Sequence, residues 1–124
     1  MEAWYRREAR RVIAPRVHAL AAARGVGAAR VAIGDPRSRW GSCSGTGTLS
    51  FSWRLMLAPE HVLDYVIAHE VCHLSRPDHS PAFWALVAET FPGHEASRAW
   101  LRSEGALLHR GPAWRAERER LSPS

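Results

Sequence analysis

His69-Glu70-Val71-Cys72-His73 lies near the end of an otherwise apolar run, residues 59–74, that reads as a helix. Pro59 suits the start of that helix, where its missing N–H leaves no hydrogen bond unmade. Residues four apart on a helix are rotated by only about 40°. His69 and His73 therefore project from one face, one turn apart, and can grip a single metal ion. Glu70 stands beside that face, placed to reach a water at the metal without being a ligand. Two imidazoles and a carboxylate base in this pattern are the apparatus of metal-assisted hydrolysis.

A catalytic zinc site wants three protein ligands and one open position. Pro77 disfavours helical geometry at Arg76, so the helix should stop near Ser75 and the chain should turn. His79 follows that turn and can fold back as the third ligand. The spacing from the motif to His79 matches that of metzincins, although Arg76 stands where they place Gly and no Met-turn follows. A carboxylate from the next helix, Glu89, is the competing third ligand, on the thermolysin pattern.

Further motifs extend outward on both sides. They are Arg37-Ser38-Arg39-Trp40-Gly41-Ser42-Cys43-Ser44, Gly47-Thr48-Leu49-Ser50-Phe51, Leu57-Ala58-Pro59, Asp78-His79-Ser80 and Phe83-Trp84. In this order, around the central motif, they resemble the YgjP-like metallopeptidases, small zincins similar to the SprT-like and Wss-type proteases. The resemblance spans roughly residues 5–105. It implies zinc held by His69, His73 and His79, with Glu70 catalytic, and a peptide or protein as substrate.

The rest of the chain reads as scaffold. Residues 3–24 form a helix with Trp4, Val12, Ile13, Val17 and Leu20 facing inward, kinked or divided at Pro15. Short strands are expected at residues 30–34, 39–41 and 48–53, with a hairpin turn at Gly45-Thr46-Gly47. The last strand packs Leu49, Phe51 and Trp53 on the core. It is also the candidate edge for pairing with an extended peptide. Ser80 caps a helix over residues 80–91, and another spans residues 95–108. The expected fold is a single α+β zincin-like domain over residues 1–110. It has an N-terminal helix, a small, mainly antiparallel sheet, and the motif helix followed by further helices. Residues 111–124 are expected to be a charged, mobile tail, with a short helix over 113–121 as the alternative.

Charge is distributed unevenly. Residues 1–24 carry six Arg and two Glu, a net +4; residues 109–124 carry +2; residues 25–108 carry −1. The flanks leave a nucleic-acid-associated module as an alternative to the peptidase, alongside a purely structural zinc domain. All 17 basic residues are Arg, and Lys, Asn and Gln are absent, which points to codon composition more than to phosphate recognition. No apolar run is long enough to span a bilayer, and the N-terminus lacks a signal-type apolar segment. Two cysteines in such a chain suggest free thiols and a cytoplasmic setting, with Cys72 as a small buried hydrophobe. Asp64 is a candidate to orient a ligand imidazole. Arg39, Tyr65 and His61 are the candidates to stabilise an oxyanion.

Overall fold

The computed structural model describes residues 2–27 and 30–110. The architecture is α+β, with four helices around a three-stranded sheet. Helix α1 runs over Glu2–Ala23 as one 22-residue helix. Pro15 does not divide it, because Pro15 stands on the exposed side, where the carbonyl it leaves unpaired meets water. Ala9, Ile13, Val17 and Ala21 form its buried stripe at the i, i+4 spacing. Gly25, with φ at +69°, ends the helix in the left-handed conformation that glycine adopts without strain. Trp4 does not face inward as expected: it is 51% exposed.

Strands β1 (Arg30–Gly34), β2 (Gly41–Cys43) and β3 (Thr48–Ser52) order as β1-β3-β2. β2 and β3 form an antiparallel hairpin closed at Ser44, whose N–H donates to the Thr48 carbonyl at 2.9 Å. β1 lies on the far side of β3 and runs parallel to it. The sheet is therefore mixed, not mainly antiparallel. β3 is central, which removes it as the edge for a peptide; the edge beside the motif helix is β2. Leu49, Phe51 and Trp53 do pack into the core, each 3% exposed or less. β2 begins two residues later than expected, at Gly41, and the Trp40 ring before it packs on the last helix beside Gly105.

After β3, Ser52 caps a 3₁₀ turn over Trp53–Leu57. Helix α2 (Glu60–His73) follows, then α3 (Pro81–Thr90) and α4 (His94–Leu108). α3 starts as the sequence indicates, with Ser80 Oγ accepting from the Phe83 N–H and Pro81 in the first turn. α2 packs against α1, α3, α4 and β2, so it runs through the centre of the molecule. One buried cation was not foreseen. Arg54 is 8% exposed and donates from Nε and NH2 to the two Asp35 oxygens at 2.7 and 3.2 Å. Its NH1 donates to the Leu108 carbonyl at 3.1 Å, so one side chain ties the end of β1 to the end of α4. The expected tail, residues 111–124, lies outside the described residues.

Candidate metal centre

The last turn of α2 carries His69, Glu70 and His73, and the loop before α3 carries His79. His73 Nε2 lies 3.2 Å from His69 Nε2 and 3.2 Å from His79 Nε2. Nitrogens that share a tetrahedral zinc at 2.0–2.1 Å stand about 3.3 Å apart, so the three imidazoles have the separation such an ion demands. Among the described residues, these three form the one group of His, Cys, Asp or Glu side chains close enough to share an ion. Glu89, the alternative third ligand, is not with them. It points from α3 to Arg24, at 3.4 Å.

The tautomers also suit a metal. His73 Nδ1 lies 2.9 Å from the Arg76 carbonyl, which only accepts; the ring must donate there, leaving the Nε2 lone pair for a ligand. The turn at Arg76 and Pro77 thus holds one imidazole while it delivers another. His69 Nδ1 meets the Tyr65 hydroxyl at 3.3 Å. Burial, followed by the neighbouring His73 and His79, lowers the His69 pKa to about 4, and burial likewise lowers that of His73. Both rings are thereby kept in the neutral form that ligates.

Aromatic rings support the triad from below. Phe83, fully buried, stacks on His73 with centroids 4.2 Å apart and planes at 13°. Trp84 borders His69 and His79 and carries the Arg98 guanidinium 4.3 Å above its ring. The apolar stripe of α3 is therefore core at Phe83 and wall of the site at Trp84.

Glu70 is 5% exposed. Burial raises its pKa to about 7, against the pull of Arg39. Its close neighbour is Gly41: a Cβ there would lie 3.0 Å from Glu70 Cγ and 3.1 Å from Oε2. Glycine at this position of β2 is what lets the strand pass against the carboxylate. The signal was visible as a Gly inside a strand pattern, but its reason was not.

The other candidates separate. Asp64 does not orient an imidazole; its Oδ1 takes Arg16 NH1 at 2.7 Å across the α1–α2 interface. Tyr65 occupies the role expected of Asp64, against His69. His61 faces α4, with Nδ1 2.8 Å from Ser97 Oγ, and does not line the cleft. Arg39 does line it. Cys43 and Cys72 are both free thiols; Cys72 is buried, with its Sγ 3.6 Å from Thr90 Oγ1. Five of the six Arg residues in the first 24 are engaged within the molecule, with Glu2, Glu8, the Val31 carbonyl, the α2 acids and Glu89.

The three imidazoles and Glu70 open onto a cleft of about 690 Å³, bounded on its other side by β2 and the 44–47 turn. No helix among the described residues is long and apolar enough to cross a membrane.

The fold is similar to that in the crystal structure of the metallopeptidase zymogen of Pyrococcus abyssi abylysin. The TM-score is 0.63 at 21% identity, over 73% of this chain and 94% of that one. No curated protein matches the sequence. The family model of the YgjP-like metallopeptidase domain matches residues 1–104, most of the chain and all four candidate site residues, and the protein belongs to that family.

Proposed function

We propose that this family member is a zinc-dependent peptidase in which His69, His73 and His79 hold the metal and Glu70 is the general base. The observation that carries the reading is the convergence of the three Nε2 atoms beside a buried carboxylate. Zinc supplies an electrophile for the scissile carbonyl and makes an attacking water acidic near neutral pH. Glu70 takes the proton of that water at its carboxylate oxygen and returns it to the leaving amine nitrogen. His69 and His73 are oriented by Tyr65 and by the Arg76 carbonyl. The substrate backbone lies along β2, whose outer edge is unpaired among the described residues and therefore offers main-chain hydrogen bonds to an extended peptide. Arg39, exposed at the cleft, faces the carbonyl oxygen as charge develops on it.

A structural zinc domain would close its shell with a fourth protein ligand. Three donors and no fourth, among the described residues, favour turnover. The test combines metal analysis of the purified protein with cleavage of a peptide library, using Glu70→Gln as control. One zinc per chain in both proteins is expected, with hydrolysis about 10²–10⁴-fold slower in the variant. Zinc loss in Glu70→Gln would make Glu70 a ligand; equal hydrolysis by both proteins would remove it from the chemistry.

A further inference from the structure

A second cavity, of about 250 Å³, opens from the same reaction centre. It shares Arg39, Gly41, His69 and Glu70 with the larger cleft, and the two then diverge. The cleft continues along the Ser42–Gly47 segment, where Gly, Ser, Thr and Cys43 offer only small side chains and backbone. The second cavity continues between Trp40, Tyr65, Val66 and Leu101. Its polar groups are already committed or lie at the mouth: the Tyr65 hydroxyl faces His69, and Arg39 is exposed.

The walls are fixed before any ligand arrives. Gly105 admits the Trp40 ring, since a Cβ there would meet Cζ2 at 3.3 Å. His109 stacks on that ring with centroids 4.9 Å apart, and the Trp40 carbonyl accepts from the Ser52 N–H at 2.9 Å. Leu101 comes from the same helix, α4, so this helix closes a preformed apolar pocket against the end of α2.

We propose that this cavity sets substrate preference by taking a large apolar side chain, of leucine or phenylalanine type, from a residue flanking the scissile bond. The proposal rests on the peptidase reading. Such a side chain exchanges water for Trp40, Val66 and Leu101, whereas alanine leaves the pocket unfilled and aspartate meets an apolar wall. The flank that enters the polar cleft tolerates many side chains.

The experiment uses the full chain loaded with zinc and matched peptides carrying Leu, Phe, Ala or Asp at each flanking position. At one flank, kcat/KM for Leu or Phe should exceed that for Ala and Asp by at least about tenfold. Leu101→Trp, which fills the pocket, should erase that preference, and Leu101→Ala should shift it from Leu toward Phe. The second variant keeps the test alive if the first does not fold. The same peptides are also titrated into Glu70→Gln by calorimetry, where the Leu-over-Ala order should reappear. Cleavage without preference overturns the pocket and leaves the peptidase standing. A preference for Asp, lost in Arg39→Ala, overturns it in favour of an acidic-side-chain site. No cleavage with a Leu101-dependent binding preference overturns the peptidase and keeps the pocket. No cleavage and no preference overturns both.

Discussion

Helices α1 and α2 pack against each other and bury themselves in opposite ways. α1 fully buries four of its 22 residues, in a single stripe of small and β-branched side chains. α2 buries nine of 14, all round its circumference, including a carboxylic acid. The difference separates two roles that a small domain must combine. α1 contributes apolar area, and its Arg16 reaches Glu60 and Asp64 on α2 at 2.8 and 2.7 Å. α2, buried on all sides, holds Glu70 against Gly41 of β2 in a site dry enough to raise its pKa. Substitutions on α1 should therefore move stability alone, and those in the last turn of α2 should move the chemistry.

The largest effect is expected at the metal. Changes to groups behind a ligand typically weaken metal affinity 10–100-fold, so loss of a ligand should exceed about a hundredfold. His73→Ala and His79→Ala should each do so in a chelator competition, with activity falling in step. Glu89→Ala should bind zinc as the wild type does, and a loss there would restore the carboxylate alternative.

Next is the buried pair, which belongs to neither helix. Arg54→Ala leaves Asp35 without its guanidinium and the Leu108 carbonyl without a donor, which should cost about 3–5 kcal/mol in urea unfolding. Its Arg54 partner holds the Asp35 carboxyl below the ordinary carboxylate range, with burial opposing. A depressed folded pKa gives stability that is complete above the unfolded value, about 3.9, and fades as pH falls through the folded one. The gap between wild type and Arg54→Ala should thus stay constant from pH 7 to about 5 and narrow below pH 4. A gap that stays constant into acid would mean that the pair contributes through packing alone.

Ile13→Ala tests α1 directly. Ile13 is fully buried at the centre of the stripe, and its truncation should lower stability by about 2–5 kcal/mol. The remaining folded protein should keep its kcat and zinc affinity. A fall in kcat at temperatures where the variant is folded would join the two roles that the helices divide.

Tyr65→Phe is subtler, because it keeps the packing and removes one hydroxyl. Zinc affinity should fall about tenfold, at the low end of the range for a group behind a ligand, since the contact with His69 is long at 3.3 Å. Unchanged affinity in a stable variant would limit Tyr65 to packing.

What was legible in the sequence follows how local each feature is. His69 and His73 were legible because helical spacing alone sets their common face. His79 was legible because Pro77 forces a turn at a length that returns the chain. Asp64 was chosen for its carboxylate, whereas Tyr65 stands four residues before His69, on the same face, and spacing outweighs residue type there. The place of β3 was not legible. Its two partners pair from opposite sides, one parallel and one antiparallel, and no pattern within five residues of strand encodes that. Arg54 hides in an apolar stretch, Trp53-Arg54-Leu55-Met56-Leu57, and its partner Asp35 lies 19 residues away. Leu101 lines the second cavity from α4, 28 residues beyond His73 in the chain.

Trp4 makes the smallest and most direct test of how α1 is read. Its place in the expected core came from apolar character at roughly helical spacing. The observed stripe, Ala9, Ile13, Val17 and Ala21, extends back by one turn to Tyr5. Trp4 is about 100° away on the helix. Tyr5 is half-buried and meets Trp53 with ring centroids 5.4 Å apart, whereas Trp4 touches the edge of Tyr5 at 5.0 Å and is 51% exposed. An aromatic pair adds about 0.5–1.5 kcal/mol when well packed, and solvent on one side places this one at the low end. Trp4→Ala should therefore lower stability by about 0.5 kcal/mol, read as a lower urea midpoint at unchanged m, and Tyr5→Ala should cost more. If Trp4→Ala proves the costlier of the two, the first turn of α1 packs on a surface that the stripe does not reach, and the division of labour between the helices begins one turn later.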